Sequence, residues 1–276
     1  MKPSFALVTG IHWAAVILYV VATVMVVIGQ LFEKPTLSRR GYQVCYPGLL
    51  VHGAGLLIWW RMVGHGPYID RFEVLSSNAW ILLAAFLLFA IAYPRVKDAA
   101  IVVLPASFIL VALGLFFSPE MKTLPPTFRS VWLVLHIIFY KIAFSSIIIA
   151  FAFSLFYLLI MRGRLARLAR SLPNLEGIDI YAYRFAGLGF TFWAIGMLAG
   201  SIWAYQSWGI FWNWDPVQTW SLVTWTVFGI YLHLRRFFSW RGERAAWLFV
   251  FCFALTLVSL FLTPLFESSI HAEYFK

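Results

Sequence analysis

Six of the chain's 14 tryptophans lie between Trp203 and Trp225. They crowd around the segment Trp208-Gly209-Ile210-Phe211-Trp212-Asn213-Trp214-Asp215-Pro216-Val217-Gln218-Thr219-Trp220. That segment holds a single acid and lies between two apolar runs. Indole offers a broad flat apolar face and one N–H donor, so a cluster of this density suits a flat apolar ligand. The competing account is an aromatic belt at the lipid headgroups. Belt aromatics are scattered over many helix ends, and six around one aspartate exceed what a belt explains.

Other side chains could join such a site. His136 lies about two turns into an apolar run, at ~1.5 Å of rise per residue, and His271 follows the last apolar run. Imidazole is a standard axial ligand for haem iron. A flat porphyrin could present its faces to two histidines and its edge or face to the tryptophans. His233, in Tyr231-Leu232-His233-Leu234-Arg235, lies near the far end of its own run and marks a second, inner site or an entry point. Lys141 stands in mid-run, where an ammonium needs an anion or water; a haem propionate or a buried protein acceptor would serve. It is five residues past His136 and so points to a different face. His12 and His52 are expected to be hydrogen-bonded interfacial residues, and His65 has no assigned role. Asp215 reads first as a helix start, with Asp as N-cap, Pro216 at the first helical position and Gln218 at N3 as in a capping box. Direct ligand contact is its second reading.

The elements that must position these residues are membrane helices. The chain has 276 residues, 62% hydrophobic and 12% charged, against roughly 25% charged in a soluble domain. A span needs about 20 apolar residues. Runs at about 5–31, 44–62, 76–93, 98–117, 130–161, 183–203, 216–236 and 245–265 meet that need. The expected fold is an all-α polytopic bundle of about eight transmembrane helices, one membrane domain over 1–276, with the Trp loop at about 203–220. No linker is long enough for a second domain, and no internal repeat stands out. The first run is too long for a signal peptide, so no cleavable leader is expected.

The net charge of +10 would suggest nucleic acid in a soluble protein. Here the basic residues sort by side: 14 of the 21 Lys and Arg follow the first, third, fifth and seventh runs, six lie on the other side, and Lys141 is inside a run. The positive-inside rule makes the first side cytoplasmic. Both termini, the Trp loop, His136 and His271 are then external. The basic stretch 162–170 is expected to be a solvated or headgroup-binding helix extension. Cys45 and Cys252 form no Cys-x-x-Cys pair, so the chain offers no zinc or haem-attachment motif and is not itself a c-type cytochrome.

The Trp208–Trp220 segment resembles the tryptophan-rich WWD signature of haem-handling proteins of cytochrome c assembly. Three further segments resemble the CcsA (ResC) type of System II: Trp60-Arg61-Met62-Val63-Gly64-His65-Gly66-Pro67 with Phe72-Glu73, Ser130-Val131-Trp132-Leu133-Val134-Leu135-His136, and Tyr231-Leu232-His233-Leu234-Arg235. The resemblance runs from about Trp60 to the C-terminus. It implies that His136 and His271 ligate haem b iron externally. Trp208, Trp212, Trp214 and Trp220 then wall the haem, Asp215 orients the loop and His233 serves an inner site, with His52 a possible internal substitute. It also implies a CcsB (ResB)-like membrane partner, an apocytochrome c client, thiol-reducing proteins that keep the client reduced, and a site in the bacterial inner membrane, or the thylakoid for a plastid chain. The implied activity is that of a holocytochrome c synthase subunit. The family often carries a basic residue and Glu where this chain has Val217 and Gln218, which puts the role of that carboxylate in doubt. The alternatives are a non-enzymatic haem-binding, haem-transport or haem-synthesis regulatory protein of the same superfamily, and a CcmC-type haem-delivery protein, which eight spans disfavour.

Overall fold

Two long helices pack closely only where one surrenders its side chains. The computed structural model describes residues 4–117, 121, 124–164 and 166–263. In it α1 (Phe5–Leu31) lies along α2 (Pro35–Val63). Gly41, Gly48 and Gly55 recur every seven residues on α2. A Cβ at these positions would come within 2.7 Å of Val26, 2.8 Å of Tyr19 and 2.8 Å of His12, which recur every seven residues on α1. Small residues at such contacts let membrane helices pack backbone to side chain, where burial of apolar surface against lipid gives no drive. The remaining helices are α3 (Arg71–Ala92), α4 (Ala100–Gly114, entered through a 3₁₀ turn at Pro94–Ala99), α5 (Val131–Met161), α6 (Ala166–Ser171), α7 (Leu175–Trp208), α8 (Pro216–Phe237) and α9 (Glu243–Leu257, continued by a π turn at Val258–Leu262).

Over the described residues each of the eight apolar runs overlaps a helix. Six of these helices, counting Pro94–Gly114 and Glu243–Leu262 as single stretches, are long and apolar enough to cross a membrane. The other two, α2 and α8, are long enough but carry more polar side chains, such as Arg39, Gln43 and His52 on α2 and Gln218, Ser221 and His233 on α8. Among the described residues no strand occurs. The structure is that of an integral membrane helix bundle.

The chain divides into two compact units, residues 1–124 with 165–173, and residues 125–164 with 174–276. Within the first, α1 packs on α2 and α4, and α3 packs on α4 and α2. Within the second, α5 packs on α7 and α9, and α8 packs on α7 and α9. The basic stretch 162–170 is not the helix extension expected. Gly163, at φ +69°, follows the end of α5. The chain then forms the separate short α6, which belongs to the first unit. There Leu168 and Leu172 are buried and Arg170 pairs with Glu33 at 3.2 Å.

One buried ion pair ties the second unit together at the basic end of α8. Asp179 on α7 receives Arg235 through both carboxylate oxygens, at 2.5 and 2.8 Å. The Gly242 N–H that opens α9 donates to the same carboxylate at 3.1 Å. The guanidinium lies over the rings of Tyr183 and Tyr231, at 4.9 and 5.9 Å. Removing one member of such a pair strands the other, at a cost of about 3–5 kcal/mol, whereas replacing both with apolar residues is often far milder. Asp179→Ala is therefore expected to lower the melting temperature of the detergent-solubilised chain more than the Asp179→Leu/Arg235→Met double variant does. Gly48→Leu, which drives new atoms into Tyr19 at a cost of about 1–3 kcal/mol, is expected to lower it as well. Thermal unfolding followed by circular dichroism reads both.

Candidate functional site in the second unit

The Trp loop is built by a helix stop, a tight connection and a helix start. Gly209 ends α7 in the left-handed region at φ +74°, and its N–H bonds to the Tyr205 carbonyl at 2.9 Å. Six residues later Asp215 caps α8 by accepting the Val217 N–H at 2.9 Å, with Pro216 in the first turn. The cap and proline are as the sequence predicts. The Gln218 contribution differs: its Oε1 accepts the Asn213 N–H at 3.0 Å, while the Asp215 N–H donates to Asn213 Oδ1 at 3.1 Å. The amide thus closes the loop two residues upstream of a standard box. Thr219 Oγ1 donates to the Trp214 carbonyl at 3.1 Å. Asp215 is buried, which fits its capping role.

This framework forces an uncommon conformation on a tryptophan. Trp214 sits at φ +59° and is 68% exposed. A bulky residue in the left-handed region is strained and persists only where its surroundings over-determine it, and such positions gather at ligand sites. Its ring meets Trp212 edge-on at 5.9 Å. The Trp212 Nε1–H is buried with no acceptor among the described residues, a donor that a bound ligand could satisfy. Trp208 and Trp220 are half-buried. Trp208 meets Trp203 at 4.9 Å, and Trp203 donates its N–H to the Thr127 carbonyl at 2.8 Å.

His136 reaches this cluster through Trp203, whose ring lies 6.3 Å away. Its Nδ1 bonds to the Gly196 carbonyl at 2.9 Å. A carbonyl only accepts, so Nδ1 carries the proton and the neutral ring keeps its coordinating lone pair on Nε2. A carbonyl-anchored imidazole is the usual form of a histidine that ligates a metal. The ring rests on Gly200, where a Cβ would come within 2.4 Å of Nδ1. Tyr140, one turn deeper, packs edge-on against His136 at 4.8 Å and over Gly196. Its hydroxyl shares a hydrogen bond with Ser221 Oγ, which also accepts from Trp193 Nε1 at 3.0 Å. Ser221 lies on α8, the helix that the Trp loop starts. The helix that bears His136 and the loop that bears the tryptophans are therefore fastened together one turn below the site.

Some predicted residues lie apart from this site. His233 is exposed on α8 beside Phe237, with ring centroids 4.7 Å apart. Thirteen residues separate it from Trp220, or ~20 Å of helix. Lys141 is buried on α5, on a different face from His136. His271 lies outside the described residues. His12 and His52 are fully buried in the first unit and, as expected, hydrogen-bonded. His52 bonds to Tyr19 Oη at 3.1 Å and Ser76 Oγ at 2.8 Å. Both ring nitrogens are engaged, which removes it as an internal substitute ligand. Among the described residues, no group of three or more His, Cys, Asp or Glu could hold a metal ion. Tyr140, Gly196, Gly200 and Ser221 escape a residue-type search. The Gly196-Met197-Leu198-Ala199-Gly200 spacing was the available signal, since G-x-x-x-G in an apolar helix marks close approach.

Loss of the shared hydroxyl should loosen this joint. Ser221→Ala strands Tyr140 Oη, at about 1–3 kcal/mol for a buried group left unmade, and leaves Trp193 Nε1 only its 3.3 Å bond to the Ser221 carbonyl. A drop in melting temperature with Ser221→Ala, and a smaller one with Ser221→Thr, is the expected result.

Residues 48–271 match the family model described as cytochrome C assembly protein. The chain is similar to the cytochrome c biogenesis protein CcsA of Chlamydomonas reinhardtii, with 32% identity over 69% of this chain and 56% of that protein. It is similar to the CcsA of Guillardia theta at 32% identity over 68% of this chain and 70% of the relative. The CcsA of Synechococcus sp. (strain CC9902) is 28% identical over 89% of this chain and 90% of its own length.

Proposed function

The chain belongs to the cytochrome c assembly protein family, and on that premise we propose that it serves cytochrome c biogenesis by holding haem b at His136 beside the Trp loop and presenting it for attachment to apocytochrome c. The observation that carries this reading is the His136 imidazole, pinned by Nδ1 to the Gly196 carbonyl and seated against Trp203. Haem is the cargo here. Trp212 supports the fit, with a buried N–H that awaits an acceptor, and so does Trp214, held exposed at φ +59°.

His136 ligates one face of the iron through Nε2, and His271 is the proposed ligand on the other. Trp208, Trp212, Trp214 and Trp220 cover the apolar macrocycle and exclude water. Asp215 fixes the loop through its cap and does not touch the iron. Lys141 is the proposed counter-charge for a haem carboxylate. His233, exposed on α8, belongs to an inner site completed by a histidine of a CcsB-like partner. The site faces the periplasm, or the thylakoid lumen in a plastid chain, and both termini share that side.

The attachment adds each cysteine thiol of a Cys-x-x-Cys-His segment across a haem vinyl group. The sulfur forms the C–S bond and the thiol hydrogen passes to the other vinyl carbon, so the client must arrive reduced, as thiol-reducing proteins ensure. Among the described residues none is assigned as a nucleophile, and both cysteines, Cys45 and Cys252, are buried. The chain's contribution is orientation of two reactants and control of the iron by its axial ligands.

The test is the visible spectrum of the reduced, detergent-purified chain. Wild type is expected to show sharp low-spin haem b bands. His136→Ala and His271→Ala should each weaken or shift them, and Trp214→Ala should lower haem content. A chain without haem, or haem indifferent to both histidine changes, would refute the assignment. Transfer is tested by reconstitution with a CcsB-like partner and an apocytochrome, where His136→Ala should abolish holocytochrome formation.

A further inference from the structure

At the end of the second unit opposite the Trp loop, the arginines fall into two kinds. Arg235 is half of the buried pair with Asp179. Arg162, Arg236, Arg241 and Arg244 are exposed and make no ion pair among the described residues. Glu243 is the single acid between Arg235 and Arg244. It precedes Arg244 directly, and successive residues on a helix do not face each other. The positive charge here is therefore left for something outside the chain to balance.

Two of these arginines converge on one indole. Arg162 follows the last turn of α5, and its guanidinium lies over the ring of Trp247 on α9, 5.2 Å from the centroid. Arg244 stands three residues before Trp247, which puts it on the same face of α9, one turn nearer the helix start. Trp247 is 46% exposed. The two cations thus flank an open indole at the place where α5 ends and α9 begins. The exposed surface beside them is apolar. Met161 on the last turn of α5 is exposed, and so is Phe251, one turn beyond Trp247 on α9. Phe237 and Phe238, in the turn that leads from α8 to α9, are exposed as well, so this end of the unit meets lipid as well as water.

We propose that Arg162, Arg244 and Trp247 seat the headgroup phosphate of an anionic phospholipid, with its acyl chains along Phe251 and Met161. A guanidinium meets phosphate through two parallel N–H donors. An indole is suited to the boundary between headgroup and hydrocarbon. A soluble anion would satisfy the two arginines and leave the apolar strip unused; a phospholipid uses both. Because Arg162 belongs to α5 and Arg244 to α9, the bound lipid braces the two helices against each other. This site is independent of the haem reading.

The full chain would be purified in an uncharged detergent and titrated with phosphatidylglycerol or with phosphatidylcholine of the same acyl chains. Native mass spectrometry counts the lipid retained, and circular dichroism follows thermal unfolding. Phosphatidylglycerol is expected to be retained in preference to phosphatidylcholine and to raise the melting temperature. Arg162→Gln and Arg244→Gln, at exposed positions, should each keep the lipid-free melting temperature and weaken retention about fivefold, the usual worth of one arginine at an anionic surface. The double variant should lose the preference. Arg39→Gln/Arg40→Gln, which removes the same charge from α2 in the first unit, should keep it. Equal retention of the two lipids, or a preference untouched by the Arg162 and Arg244 changes, would overturn the site. An equal loss in the Arg39/Arg40 variant would replace it with diffuse attraction. The same rise in melting temperature with inorganic phosphate alone would overturn the lipid as its occupant.

Discussion

Glycine under a large side chain governs this molecule. A membrane helix pair gains little from burying apolar surface, because lipid is as apolar as leucine. It must gain from close packing and from hydrogen bonds made in a medium with no water. The α5–α7 contact does both at one place. Gly196 and Gly200 let Tyr140 and His136 lie against the α7 backbone, and that proximity lets His136 reach the Gly196 carbonyl at 2.9 Å. The anchoring of the imidazole therefore depends on the absence of two Cβ atoms. The same device seats Tyr19 and His12 on Gly48 and Gly55.

A rigid floor permits a strained roof. Trp214 at φ +59° would relax if the loop could move, but the loop is bound at both ends. Asp215, Asn213, Gln218 and Thr219 close it with four hydrogen bonds between side chain and backbone. The capping role of Gln218 needs only an acceptor oxygen, so an amide does it as well as a carboxylate would. Glu73, at the third position of α3, takes on more, receiving Trp59 Nε1 at 2.6 Å as well as two loop N–H groups. Glu73 has two acceptor oxygens where three donors converge, and Gln218 has one where a single donor does.

Much of this was legible in the sequence, for physical reasons that differ by element. The apolar runs show because a span is set by bilayer thickness. The start of α8 shows because Asp215-Pro216 is a local signal, decided within one turn. Helix bounds were less legible: α2 begins at Pro35 and α7 at Leu175, well before their apolar cores, because helix continues past the hydrocarbon wherever a cap such as Asn174 can start it. The stretch 162–170 misled because its arginines hide Leu168 and Leu172, which fix the docking of α6. Tyr140 and Ser221 were invisible as a pair. They are 81 residues apart, and neither residue type advertises a role.

The two units share a plan that the apolar pattern hid: Gly64 and Gly209 end a helix in the left-handed region, and Asp70 and Asp215 cap the next one six residues later, each pair 145 positions apart. What repeats at 145 positions is chiefly glycine, aspartate and serine at points where the backbone turns or a helix is tied, while the side chains of the connecting loops diverge. A search by apolar pattern sees eight similar runs and no repeat. The divergence is itself informative. Both units set an imidazole over a glycine, but His12 bonds to the Val8 carbonyl of its own helix and His136 to the Gly196 carbonyl of the facing one. Only the second keeps tryptophans at the loop positions above it. A backbone plan can be held constant while one loop, closed by the same caps, is filled with Pro67 and Ile69 or with Trp212 and Trp214. The two units then differ at two positions in a connection of fixed length, above helices that keep one plan.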